Sequence, residues 1–132
     1  MTGETSLQRL LSSLAPAIMP GEFVFCSLPD AACVDYAQLS PLASFLESEG
    51  LTLVLPRESA DRAGVAYESV FRCITLTIHS SLDAVGLTAA VAGRLAERGI
   101  SANVIAAYYH DHIFVPSEQA SAALTALQEL ND

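Results

Sequence analysis

Basic residues are scarce in this chain. Only 6 Lys and Arg stand against 15 Asp and Glu, for a net charge of −9 over 132 residues. The basic residues are scattered, so no patch exists that could displace counterions from nucleic acid. Anionic membrane surfaces are disfavoured for the same reason. No apolar run reaches the ~20 residues that a bilayer span needs. The start, Met1-Thr2-Gly3-Glu4, lacks the basic region of a secretory signal. The expected location is the cytoplasm. The 3 cysteines, Cys26, Cys33 and Cys73, contain no C-x-x-C pair, which fits buried thiols in a reducing compartment. No G-x-S-x-G elbow, G-x-G-x-x-G turn or Walker pattern occurs. No cofactor is expected.

Apolar residues are abundant, at 52%, and charged ones make up 16%. Such a chain folds, and its length is sufficient for one domain or two small ones. The aliphatic surplus fits either a subunit interface or an Ala-rich core.

Leu7, Leu10, Leu11 and Leu14 recur at helical spacing, and Pro16 stops that helix. Pro20-Gly21 is a turn, and residues 22–28 (EFVFCSL) read as a strand. Residues 31–39 read as loop. Ser40-Pro41 then predicts a helix carrying Leu42, Phe45 and Leu46 inward and ending at Gly50. Residues 51–55 (LTLVL) are a strand, and Pro56 opens a short helix over 57–63, closed by Gly64.

The second half repeats this grammar. Residues 71–79 (FRCITLTIH) alternate as a strand, with Ile74, Leu76 and Ile78 on one face and Thr75, Thr77 and His79 on the other. Leu87, Val91 and Leu95 share a helix face that Gly99 terminates. Residues 100–109 and 113–115 read as strands around a turn at His110-Asp111-His112, and Tyr108 and Tyr109 are expected to face opposite sides of their strand. A last helix is capped by Ser117 and turns Ala120, Ala123, Leu124 and Leu127 inward. The order β-α-β-β-α describes an α+β sandwich, an antiparallel sheet packed on helices. Its closing strand is missing, and an open edge needs cover. Residues 22–28 are the expected cover, which would interlock the two halves by strand exchange.

These residues resemble the ACT domain, a ferredoxin-like βαββαβ module. The resemblance is carried by the strand at 71–79, Asp83-x-x-Gly86, the helix ending Leu95-Ala96-Glu97-Arg98-Gly99-Ile100, Asn103-Val104, and Ile113-Phe114-Val115-Pro116 before the last helix. It implies two units in tandem, a degenerate one over 1–66 and a fuller one over 67–132. The whole chain is similar to short bacterial proteins of tandem ACT-like units, and in arrangement to eukaryotic cytosolic arginine sensors. It implies a regulatory protein, not an enzyme, that binds an amino acid near an interface between units.

The candidate site is the loop between strand and helix: Ser80, Ser81, Leu82, Asp83, Ala84, Val85 and Gly86, with Asn103. Free N–H groups at a helix start, with the positive end of the dipole, can receive a carboxylate. Asp83 can hold an ammonium group or cap the helix. Gly86 permits close approach of a ligand or tight packing. Asn103 is a ligand contact or a turn former, and the two serines can be simple turn residues. His79, His110 and His112 offer a weaker metal reading, and the expected metal set is none. The expected partner is an amino acid or similar small zwitterion, with a homodimer as the expected assembly. The alternative is a protein-interaction module without ligand, and a small metal-dependent enzyme ranks last.

Overall fold

The computed structural model describes residues 7–29, 36–77 and 86–131. In chain order the elements are α1 (Leu7–Ser12), β1 (Pro16–Ile18), β2 (Phe23–Leu28), β3 (Ala43–Glu47), β4 (Gly50–Pro56), α2 (Arg57–Ala63), β5 (Phe71–Leu76), α3 (Leu87–Glu97), β6 (Asn103–Ala106), β7 (Asp111–Pro116) and α4 (Ala120–Gln128). Short 3-10 turns lie at Tyr36–Leu39, Ser117–Gln119 and Glu129–Asn131. The chain divides into two compact units, residues 21–71 and residues 1–20 joined with 72–132. Both are α+β units in which antiparallel strands pack with helix: α2 in the first, and α1, α3 and α4 in the second. In packing, the first twenty residues go with the second half, so the two halves of the sequence exchange a strand.

The reason lies in β1. In the unit of 1–20 and 72–132 the strands run β1-β5-β7-β6. Pro16 pairs with Leu76, Ala17 with Thr75 and Ile18 with Ile74. The ladder is extended by Met19 N–H to the Cys73 carbonyl at 2.8 Å and Thr77 N–H to the Ala15 carbonyl at 3.1 Å. The missing closing strand is therefore Pro16–Ile18, not residues 22–28. Proline without an N–H suits such an edge position. Strand β2 instead pairs along its whole length with β4, from Phe23–Pro56 to Leu28–Leu51. Its single partner beyond residue 66 is Phe71, opposite Phe23.

The core of this unit gathers Ile74 and Leu76 of β5, Leu87, Val91 and Leu95 of α3, Ile113 and Val115 of β7, and Ala123 and Leu127 of α4. Leu87, Val91 and Leu95 of α3 and Ala120, Ala123 and Leu127 of α4 are buried as the sequence stripes predict, while Leu7, Leu11 and Leu124 are only half-buried and Ala126, outside the stripe, is fully buried. Each fully buried aliphatic side chain contributes about 1.5–3 kcal/mol.

In the unit of 21–71 the order is β3-β4-β2. Leu51, Leu53 and Leu55 share a core with Val24, Cys26 and Ala60 of α2. The helix expected after Ser40-Pro41 is a strand, β3, paired with β4 through Ala43–Val54 to Glu47–Gly50. Leu42, Phe45 and Leu46 are not inward, being 48%, 71% and 76% exposed. Three apolar residues at i, i+3, i+4 are too few to fix a period, and the β4 ladder decided the outcome. Gly50 does not stop a helix. It has φ +150, and a Cβ there would lie 2.9 Å from the Leu28 carbonyl oxygen.

One motif occurs in both units. Leu53-Val54-Leu55-Pro56-Arg57-Glu58-Ser59-Ala60 is matched by Ile113-Phe114-Val115-Pro116-Ser117-Glu118-Gln119-Ala120. Pro56 and Pro116 hold nearly the same backbone, φ −55 and ψ 133 against φ −53 and ψ 136. Each proline ends a strand and turns the chain into a helix whose alanine, Ala60 or Ala120, is buried against the sheet.

Candidate functional site

Residues Ser80, Ser81, Leu82, Asp83, Ala84 and Val85 lie outside the described residues, as does His79. Gly86 is described and opens α3. Its φ is +94, and the Ala90 N–H donates to its carbonyl at 2.9 Å. A Cβ on Gly86 would stand 3.0 Å from Cδ2 of Leu7. Packing of α1 against this position thus accounts for the glycine. Asn103 is exposed and begins β6 opposite Phe114. It follows the far end of α3, and the 11-residue helix separates it from Gly86 by about 16 Å of rise.

The hairpin between β6 and β7 differs from expectation. Ala106 pairs with Asp111, and the Ala107 N–H donates to the His110 carbonyl at 3.1 Å. The turn is therefore Ala107-Tyr108-Tyr109-His110, while Asp111 and His112 belong to β7. Tyr108 and Tyr109 are not on opposite faces of a strand. They form the turn's exposed tip, 68% and 61% exposed, with rings edge to face at 4.9 Å. The sequence expectation moved the turn by two residues because the histidines are polar and the tyrosines favour strands.

This shift exposes a residue that the sequence reading passed over. Asp111 alternates with Ile113 and Val115 along β7, and both of those belong to the core under α3 and α4. By the two-residue period of a strand, Asp111 lies on that same face. It is 9% exposed. Among the described residues no Lys or Arg pairs with it. Burial pushes its carboxyl above the ordinary range, opposed by the fields of His112 and His110. A carboxylate in a core stripe was the available signal, being the one charge in Asp111-His112-Ile113-Phe114-Val115.

Topology fixes which end of the unit Asp111 occupies. His112 is tied to Thr75, Nδ1 to Oγ1, at 2.9 Å. Thr75 is the second-last residue of β5, and the chain proceeds from that end towards α3. Asp111 and the first turn of α3 are thus at one end of the unit, on the helix-bearing face. The first-turn N–H groups carry partial positive charge.

On the other face, burial holds the His112 imidazole below its ordinary value, helped by His110 and opposed by Asp111. His110 has a buried Nδ1 without a hydrogen-bond partner. Among the described residues no three His, Cys, Asp or Glu side chains are grouped to hold a metal ion. Cys73 is buried, and burial raises its thiol, with a weak Thr75 contact opposing. Cys26 is likewise raised by burial. Neither thiol has the lowered pKa of a nucleophile.

The unit of 21–71 carries a cleft of about 390 Å³, lined in part by Glu22, Arg57, Glu58, Asp61 and Arg62. Three of these charges are linked, Arg57 with Glu22 and Asp61, while Arg62 donates to the Ser59 hydroxyl at 3.4 Å. Arg57 meets Glu22 at 3.0 Å and donates to the Tyr67 hydroxyl at 3.2 Å, and Tyr67 donates to Asp61 at 2.7 Å. Exposed pairs of this kind contribute about 0–1 kcal/mol each.

The fold is a pair of ferredoxin-type units, one bearing a helix N-terminus and a buried carboxylate at the same end. Comparison with known proteins gives it a family. An ACT domain description matches residues 2–72, and a second ACT domain description matches residues 68–129. The chain belongs to the ACT domain family. A Vibrio cholerae protein of unknown function, described as a possible transport protein, is 55% identical over 97% of this chain and 98% of its own, with a TM-score of 0.87. An Agobacterium tumefaciens protein is 17% identical over 89% of each chain, with a TM-score of 0.74. The ligand-free regulatory subunit of aspartate kinase from Thermus thermophilus is 12% identical over 91% of this chain and 99% of its own, at 0.63. The last two show likeness of fold. No curated protein matches the chain. ACT domains are typically ligand-binding regulatory domains.

Proposed function

We propose that this protein is a non-enzymatic regulatory protein of the cytoplasm that binds a small zwitterion, an amino acid in the first place. The observation that carries the reading is Asp111, a buried carboxylate without a basic partner among the described residues, at the end of the unit where α3 begins. In this reading Asp111 receives the ammonium group. The amides of the first turn of α3, entered through the expected loop of Ser80 to Gly86, receive the carboxylate. The family supports it, because ACT domains are typically ligand-binding. No helix among the described residues is long and apolar enough to cross a membrane. Calorimetric titration with each of the twenty amino acids tests the proposal. Saturable heat with one or a few is expected, and silence across the set at about millimolar concentration, far above ordinary ligand Kd values, overturns it.

A second reading is favoured by β3. This strand ends its sheet and exposes Phe45 and Leu46, with no Lys or Pro guarding it. Pairing of two copies, the expected homodimer, or docking of a protein partner would cover it. Sedimentation at micromolar concentration separates a monomer of ~14 kDa, the mass of one chain, from an assembly of two.

A further inference from the structure

We infer that β3 is a docking edge for an extended, basic segment of another protein, which adds to the sheet as a further strand with its Lys or Arg against Glu47 and Glu49. The inference rests on the second reading above, that β3 is covered, and names the occupant.

Strand β3 ends the order β3-β4-β2 of its unit, and among the described residues no strand pairs with its outer side. A strand in that position presents backbone donors and acceptors that one more strand can satisfy. The register fixes the two faces. Leu46 stands opposite Leu51, which shares a core with Ala60 of α2, so Leu46 lies on the helix-bearing face. Phe45 stands opposite Thr52 and lies on the other face with Glu47, whose carboxylate accepts from the Thr52 hydroxyl. Both Phe45 and Leu46 are exposed. A helix laid on one face would cover only one of them. A strand added at the edge sends side chains to both faces and covers both.

Charge selects the occupant. From residue 10 to residue 56 the chain has no Lys, Arg or His, so β2, β3 and β4 carry no cation. Glu47 and Glu49 lie at the turn from β3 to β4 and are exposed. Among the described residues neither has a basic partner, and Glu49 accepts from the neighbouring Ser48 hydroxyl. A second copy would bring the same cation-free edge and another net charge of −9. A basic segment supplies the missing sign. Its basic end is the N-terminal one if the added strand runs antiparallel to β3, and the C-terminal one if it runs parallel.

The test titrates fluorescein-labelled peptides with the full chain and reads anisotropy up to about 1 mM protein, the range of weak complexes. The probes are the peptide Lys-Arg-Val-Ile-Val-Ile-Thr and the same residues in reverse order, one for each strand direction. Saturable binding of one of them is expected. Versions with Glu for both basic residues, or with a central proline that lacks the N–H for a ladder, should bind at least about 10-fold more weakly. In the chain, Glu47→Gln/Glu49→Gln should weaken binding by about 3- to 10-fold. Phe45→Thr and Leu46→Thr should each weaken it, because the added strand touches both faces. Should a variant fail to fold, the peptide series on the wild-type chain decides alone. Equal binding of the acidic peptide, or an effect from only one of Phe45 and Leu46, overturns the inference. Absence of binding by every peptide overturns it too, and sedimentation then tells what falls with it. A dimer that Phe45→Thr/Leu46→Thr dissociates gives β3 to a second copy and leaves the reading that it is covered intact. A monomer at micromolar concentration removes both.

Discussion

Gly86 and Leu7 touch across seventy-nine positions of sequence: a Cβ on the glycine would stand 3.0 Å from the leucine's Cδ2, at a backbone φ of +94. The contact brings α1 onto the start of α3. It also makes Gly86 a poor probe of ligand binding. Gly86→Ala should lower stability by roughly 1–3 kcal/mol, from positive φ and crowding together. Gly86→Ala with Leu7→Ala should recover the crowding part only relative to Leu7→Ala alone. Denaturant unfolding of the four proteins in this cycle measures it, and strict additivity would show that Leu7 is not the obstacle.

Residues 1–20 are expected to be indispensable to the second half. They supply β1 and the buried Leu14, 3% exposed. A chain beginning at Gly21 should expose the edge of β5 and lose cooperative unfolding or aggregate. A soluble, cooperatively melting truncation would contradict the role given to β1.

Asp111→Asn should separate stability from binding. Burial raises the folded carboxyl, so the folded state holds a proton that the unfolded chain has released. The stabilising contribution of this group is full below the ordinary carboxylate range and lost as pH rises through the higher folded value. At neutral pH its charge is thus a cost to the free protein. The variant should melt at the same or a higher temperature than wild type at about pH 7, with the difference shrinking towards pH 4. Its affinity for an amino acid should fall by about 10- to 150-fold, the loss of a charge-assisted hydrogen bond. Unaltered titrations would remove Asp111 from the site.

Leu46→Ser tests what covers β3. At 76% exposure in the single chain, the substitution should change monomer stability by no more than about 0.5 kcal/mol. A markedly larger loss that depends on protein concentration would show the strand buried against a second copy.

Much of this molecule was readable from local pattern. The stripes Leu87, Val91, Leu95 and Ala120, Ala123, Leu127 predicted which helix faces are buried, because a helix that covers a sheet repeats its apolar contacts every three to four residues. The Pro56 and Pro116 turns were equally legible, since proline fixes its own φ whatever surrounds it. The ACT resemblance followed from the same local elements. The loop Ser80–Val85 remains an expectation beside them.

Tertiary structure decided the rest. Whether residues 42–46 coil or extend depended on a ladder to β4, which no period in five residues encodes. Which segment closes the strands of the second unit depended on Ala15 and Ile18 reaching Thr77 and Ile74, some sixty positions away in sequence. A three-residue strand with a proline carries almost no propensity of its own. The place of Asp111 depended on where the hairpin turned. A shift of two residues took it from a polar tip to the buried face, and a carboxylate's chemistry is set by what lies around it. Local sequence determined α2, α3, α4 and the strands they cover, but not β1 or β3. Pairing between distant segments determined which charges those elements bury.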